Sequence, residues 1–186
     1  LIAFVSLAQQ SEVRSVGSFT GVKAAEAIDV YLKKGDKESV RVETTDVRLS
    51  DVLTEVSGSY LKIHMQDGNR RRGIVKVYVT YVNLNRISAS SASNVLSEGT
   101  IRSGSLDISV SSAASVELTM EAESSMIEAS SAGDVVLEGK ARKLEVEASS
   151  AGEIDAYGLE SEEVEASASS AGSIKINVNR QLDAHA

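Results

Sequence analysis

From about residue 87 onward the chain alternates between apolar and polar positions in short runs. Leu144, Val146 and Ala148 are separated by Glu145 and Glu147, and Ile154 and Ala156 are separated by Asp155. A period of two places the apolar set on one face of an extended strand. Spacings of three and four, which an amphipathic helix requires, are not supplied by these windows. The alternation is interrupted at near-constant intervals by the triplet Ser-Ser-Ala, starting at Ser90, Ser111, Ser130, Ser149 and Ser169. The intervals are 21, 19, 19 and 20 residues.

Each repeat therefore holds two short strands and a corner, and neither strand can bury its apolar face alone. Stacking consecutive repeats solves this, because equivalent strands pair in register and inward side chains pile into columns. At about 4.8 Å per coil, five repeats make a column of roughly 24 Å. The pattern predicts an all-β fold, a parallel β-helix with about 20 residues per repeat. Hexapeptide left-handed helices repeat at 18, so the longer and variable interval favours the right-handed form. The Gly-Gly-x-Gly-x-Asp nonapeptide of calcium-binding rolls is absent. At the corner, the Ala of Ser-Ser-Ala is expected to point inward where the coil is narrowest. Gly133, Gly152 and Gly172 are expected to supply a positive φ, and the Ser hydroxyls to bond corner backbone or the next rung.

The first half is less regular. Val22, Ala24, Ile28, Val30 and Leu32, followed by a Gly35-Asp36 turn and Val40 and Val42, resemble a worn copy of the repeat. Asp46 is positioned to cap one short helix over Val47–Glu55. Tyr60–Met65 and Ile74–Val82 read as strands, with Asp67-Gly68-Asn69 at the turn of a hairpin between them. Residues 9–186 are thus expected to form one β-helix domain, with 17–86 as irregular capping coils and 87–186 as the five repeats. Leu182–Ala186 begins another strand without a following corner, which reads as a truncated C-terminus.

The opening Leu1–Ala8 is apolar and uncharged, and Ser6-Leu7-Ala8 offers small residues where a signal peptidase reads. It reads as the remnant of a secretory signal peptide, which implies export to the periplasm, the outer-membrane surface or the extracellular space. The run is too short to span a bilayer. Composition then narrows the choices. Net charge is −8 among 186 residues, which argues against nucleic acid and anionic membranes as partners. No cysteine is present, so disulfides, thiolate metal sites and Cys nucleophiles are excluded. Proline and tryptophan are absent and aromatics make up 4%, leaving Val, Ile, Leu and Ala to build the core.

At this point a family resemblance is specific. The segments SFTGVKAAEAIDVYLKKGD, Leu53–Met65, VKVYVTYVNLNRISASSASNV and the closing Ser-Ser-Ala-Gly copies together resemble the putative auto-transporter adhesin, head GIN domain family. The resemblance covers about Val16 to Ala186. It implies an exported, β-helix-like protein of Gram-negative bacteria, and it carries no catalytic residues to transfer.

Candidate chemistry is sparse. No Ser lies in a Gly-x-Ser-x-Gly elbow. The two histidines, His64 and His185, make no metal motif, and no cofactor or metal site is expected. Glu128, Asp134, Glu138, Glu145, Glu147, Glu153, Asp155, Glu163 and Glu165 fall on outward positions and read as a solvated acidic face. Candidate ligand contacts are the basic run Arg70, Arg71 and Arg72, which could meet an anionic glycan or lipid phosphate, and the corner residues Ser130, Ser149 and Ser169, which could line a sugar-binding edge. The expected function is a non-enzymatic surface or periplasmic binding scaffold, with a cell-surface glycan or protein as partner and self-association through the solenoid ends. The alternative is a polysaccharide lyase or glycosidase built on the same fold.

Overall fold

The computed structural model describes residues 9–66 and 73–185. It contains thirteen strands: β1 (Gln10–Arg14), β2 (Gly21–Ala24), β3 (Asp29–Lys34), β4 (Ser39–Thr45), β5 (Val52–Ser57), β6 (Tyr60–Met65), β7 (Ile74–Tyr81), β8 (Arg86–Ala89), β9 (Asn94–Val110), β10 (Ser115–Ala129), β11 (Asp134–Ala148), β12 (Glu153–Ala168) and β13 (Ser173–His185). They form one sheet that coils as a β-solenoid. The expected all-β repeat architecture is what the chain adopts.

From β9 to β13 the coils follow one another in chain order, each strand pairing in parallel with the next. Within β11 the buried positions are Val135, Leu137, Ala141, Leu144, Val146 and Ala148. The alternation changes phase at the adjacent outward residues Arg142 and Lys143, where the strand bends around the core. Each coil thus has one leg leaving a corner, a bend, and one leg leading into the next corner. The variable repeat length also has a cause. β9 carries extra residues opposite the step from Glu117 to Thr119, and β12 carries one opposite the step from Val136 to Glu138, so these bulges absorb the intervals of 21 and 20.

All five Ser-Ser-Ala corners share one backbone. In Ser130-Ser131-Ala132-Gly133, Gly133 N–H donates to the Ser130 carbonyl at 2.9 Å, and the central residues have φ of 50° and 61°. A positive φ at both central positions defines a type I′ turn. The positive φ therefore falls on Ser and Ala, not on Gly as expected. Gly is required for a different reason: a Cβ at Gly133 would lie 2.7 Å from the Val110 carbonyl oxygen of the preceding coil, and Gly152 and Gly172 meet Ala129 and Ala148 more closely still. The Ala of each triplet faces solvent, and the inward small residues are Ala89, Ala129 and Ala148, just before the corner.

Non-Gly residues in this region cost about 1–2 kcal/mol each. A ladder of main-chain bonds offsets that cost, with Ala92, Ala113, Ala132 and Ala151 N–H donating to the carbonyls of Ser112, Ser131, Ser150 and Ser170 at 3.0 to 3.2 Å. Backbone bonds recur at every step of this ladder; a Ser hydroxyl adds to them at the first corner, where Ser93 donates to the Ala24 carbonyl at 3.1 Å. Ala25-Glu26-Ala27-Ile28 makes a sixth corner in the same stack, with φ of 65° and 56° at Glu26 and Ala27 and a bond from Ala27 N–H to Ser91 O. The segment that resembled a worn repeat is a repeat in geometry.

The first half reaches the same stack out of chain order. β2 lies between β6 and β8, and β3 lies between β7 and β9. Beyond them β4 adds antiparallel to β7 and β1 antiparallel to β4, and β5 adds antiparallel to β6. Arg14 ties the two outer strands together by donating to the carbonyls of Val52 and Leu49 and to the Thr54 hydroxyl. Two expectations are corrected here. The segment Val47–Glu55 is not a helix: only Leu49–Asp51 forms a 3-10 turn, Asp46 sits at φ 62° without capping it, and Val52 onward is β5. The reason is the two-residue Gly58-Ser59 turn, whose first position takes φ 62° and pairs Ser57 with Tyr60. Nor do Tyr60–Met65 and Ile74–Tyr81 form a hairpin, since β6 and β7 are the two legs of one coil and pair with different neighbours. The Asp67-Gly68-Asn69 turn and the opening Leu1–Ala8 segment lie outside the described residues.

Candidate functional site

Outward side chains of the in-order coils form columns, because each residue has its register partner one rung above. Arg102, Glu121, Lys140 and Glu160 occupy one column with alternating sign. Arg102 pairs with Glu121 at 2.8 Å and Lys140 with Glu160 at 3.4 Å. A neighbouring column adds Arg142 with Glu123 at 3.0 Å and Arg180 with Glu162 at 3.8 Å. Lys175 holds both Glu153 and Asp155, which raise its pKa in that order. These exposed pairs contribute little to stability individually, but they keep the faces polar and regular.

The expected acidic positions do face outward. Glu145, Glu165 and Asp183 stack in one column beside a shallow groove of about 480 Å³ that also includes Ser105, Ser124 and Lys143. Among the described residues no group of three or more His, Asp and Glu is arranged to hold a metal ion. His64 lies 3.6 Å from Glu55, and His185 lies 3.3 Å from Asp183. Ser130, Ser149 and Ser169 come together in the corner row as expected, and their hydroxyls take no hydrogen bond among the described residues. The Arg70-Arg71-Arg72 run lies outside the described residues.

Two clusters in the first half were not visible in the sequence. On one face Tyr31 and Tyr78 stack with ring centroids 5.0 Å apart, and Arg41 covers the far side of Tyr78 at 4.1 Å. Register pairing of β3 with β7 and of β7 with β4 makes this column, which uses up both faces of Tyr78. On the opposite leg, Tyr60, Gly21 and Arg86 form one column and Lys62, Lys23 and Ser88 the next. The Lys23 ammonium stands 5.8 Å from the Tyr60 ring centre. Arg86 lies 3.6 Å from Asp107, and its pKa is raised first by Tyr60 and then by Asp107. Tyr60, Lys23, Arg86, Ser88 and Asp107 border a groove of about 280 Å³. The one sequence signal for this site is a glycine on the outward position of a strand, and its partners become apparent only once the register of β2 is known.

Among curated proteins no match is found. Several solved structures share the fold. A putative adhesin from Bacteroides fragilis aligns with a TM-score of 0.80 and 17% identity, covering 97% of this chain and 98% of its own. A putative adhesin from Parabacteroides distasonis gives 0.65 and 18%, covering 96% and 97%. A putative lipid binding protein from the same species gives 0.60 and 11%, covering 95% and 94%. Among the described residues no helix is long and apolar enough to cross a membrane. The family model for the putative auto-transporter adhesin, head GIN domain, matches residues 18–186, nearly the whole stretch over which the sequence resemblance runs, and the chain belongs to that family.

Proposed function

We propose that the chain is an exported, non-enzymatic binding scaffold that presents flat solenoid faces to a cell-surface glycan. The observation that carries this reading is the run of polar columns across successive rungs. Charges and hydroxyls recur at the inter-strand spacing of about 4.8 Å, so a linear polymer lying across the rungs meets the same chemistry several times. Many weak contacts of this kind add through multivalency. Family membership supports attachment to a surface partner. Lipid binding, as in the name of one structural neighbour, has less support, because Val, Ile, Leu and Ala side chains fill the coil interior. The exposed large apolar residues Val13, Ile74, Met126, Tyr157 and Leu182 lie on five different strands.

The test is a glycan array together with a polysaccharide-cleavage screen on the same purified protein. Retention on glycans, with no depolymerisation of pectins, glycosaminoglycans or arabinans with or without Ca²⁺, is the expected result. Depolymerisation that disappears in Asp155→Asn would replace this reading with the enzyme. Absence of any glycan retention would redirect the search to a protein partner.

A further inference from the structure

Gly21 occupies an outward position of β2, since its neighbour Val22 and then Ala24 point into the core and are fully buried. Gly21 is nevertheless buried. The cover is the Tyr60 ring: a Cβ on Gly21 would meet Tyr60 Cδ1 at 2.7 Å and Cε1 at 2.8 Å. The ring therefore lies across the sheet, one face against the glycine backbone, as aromatic residues do when they shield a strand glycine. Its other face turns away from the sheet, unlike the Tyr78 ring, which is sandwiched between Tyr31 and Arg41.

Three cations gather on the rungs beside this ring, within a chain of net charge −8. Lys62, Lys23 and Arg86 stand on the three consecutive rungs β6, β2 and β8. The acidic groups nearby are Asp107 beside Arg86, Glu55, opposite Lys62 on β5, and Glu128, which lines the groove beyond Ser109. Ser88 and Ser109 supply hydroxyls along the groove toward Asp107. An aromatic face, a guanidinium, an ammonium and short polar side chains together match a sugar ring that bears an anionic group.

We infer that the Tyr60–Gly21 platform binds one acidic pyranose unit, the sugar's C–H face stacking on Tyr60 and its carboxylate or sulfate held by Arg86 and Lys23. Ser88, Ser109 and Asp107 are placed to exchange hydrogen bonds with its hydroxyls. This rests on the glycan-binding reading above and assigns that reading a place and a ligand class. It also accounts for Gly21, because any side chain there would lift the ring off the sheet.

The experiment is binding of the full chain to a galacturonic acid hexamer and to a heparin-derived hexasaccharide, each at low and high salt. Methyl-esterified galacturonate hexamer serves as the neutral control. The wild type should bind at least one acidic oligomer, weaken steeply with salt, and bind the neutral form at least about tenfold more weakly, the effect of losing one charge-assisted contact. The two acidic probes tell carboxylate from sulfate. Tyr60→Ala should lower affinity about tenfold or more, and Tyr60→Phe only about two- to threefold, since the stacking face is kept. Arg86→Gln with Lys23→Gln should lower affinity similarly and flatten the salt dependence. That double variant carries the test if Tyr60→Ala fails to fold. Equal binding of acidic and neutral oligomers, or unchanged affinity in the Arg86/Lys23 variant, overturns this site while leaving glycan binding intact. If the wild type binds other glycans but neither acidic hexamer, the site is overturned. If it binds no glycan at all, the broader reading falls with it.

Discussion

The two halves of the solenoid reach the same stacked geometry by opposite routes. Between β9 and β12 each rung pairs with a segment 19 to 21 residues away, so neighbours in space are neighbours in the repeat. In the first half Gly21 pairs with Arg86 and Asp29 with Lys76, and the coil made by β2 and β3 is enclosed by strands that come later in the chain. The in-order half spends its variety on exposed ion pairs and repeats its interior. The interlocked half holds Tyr31, Tyr60, Tyr78 and Tyr81 and the two aromatic clusters. A binding site that needs several different side chains on adjacent rungs arises more easily where those rungs come from distant sequence.

The contrast can be broken most severely from inside. Ile63→Asp buries an unpaired charge in the interlocked half and should cost more than about 4 kcal/mol, abolishing cooperative folding. Val146→Asp places the same charge among quasi-independent coils. It should unfold the last coils while amides of β2, β3 and β6 stay protected, because a solenoid's stability is a sum over neighbours. Hydrogen exchange separates the two outcomes, and equal loss of protection in both variants would show that the halves are one cooperative unit.

Next in size, Gly152→Ala sets a Cβ against the Ala129 carbonyl of the coil below and should cost about 3 kcal/mol. At the equivalent corner position nearer the first half, Ala114 is already accommodated, so Ala114→Gly should cost only about 1 kcal/mol. Denaturant midpoints measure both. A smaller gain is expected at the corner itself. Ala132→Gly relieves a left-handed alanine and should stabilise by about 0.5–1 kcal/mol after the entropy of glycine is subtracted.

The smallest effect concerns pH. Burial raises the pKa of Tyr81, so the folded state holds its phenolic proton longer than the unfolded chain does. Its contribution is fully present below the ordinary tyrosine value of about 10 and is lost as pH rises through the folded value. Tyr81→Phe should therefore show a shallower fall of the urea midpoint between neutral and strongly alkaline pH.

The repeat half was legible because its interaction partners recur at a fixed sequence distance. The inward set Val146, Ala148 and Ile154 follows from alternation alone. The corner chemistry was legible as a corner but not in detail: the sequence shows Gly after the last three Ser-Ser-Ala triplets, yet whether Gly supplies a φ or a close approach depends on the carbonyl of another coil. Val47–Glu55 is not a helix because tertiary pairing of β5 with β6 outweighs a weak helical pattern, and the Gly58-Ser59 turn decides that pairing. The Tyr60 platform was hidden for the same reason that the hairpin was wrong. Both depend on a register between strands that are tens of residues apart, and no local pattern encodes it.

The enclosure of β2 and β3 also sets an order of assembly. Among the described strands β2 pairs with β6 and β8, and β3 with β7 and β9, so neither has a neighbour until the chain has been delivered past residue 60; β2 is flanked on both sides once residues 86–89 arrive, and β3 once residues 94–97 do. A chain supplied N-terminus first must keep β2 and β3 unpaired while it waits. It then closes the first coils together in one slow, long-range event. Each later coil adds onto a finished template about 20 residues at a time. The rate at which this protein acquires its structure is therefore set by the half with the least repetition, and lengthening the solenoid by further Ser-Ser-Ala coils would leave that rate unchanged.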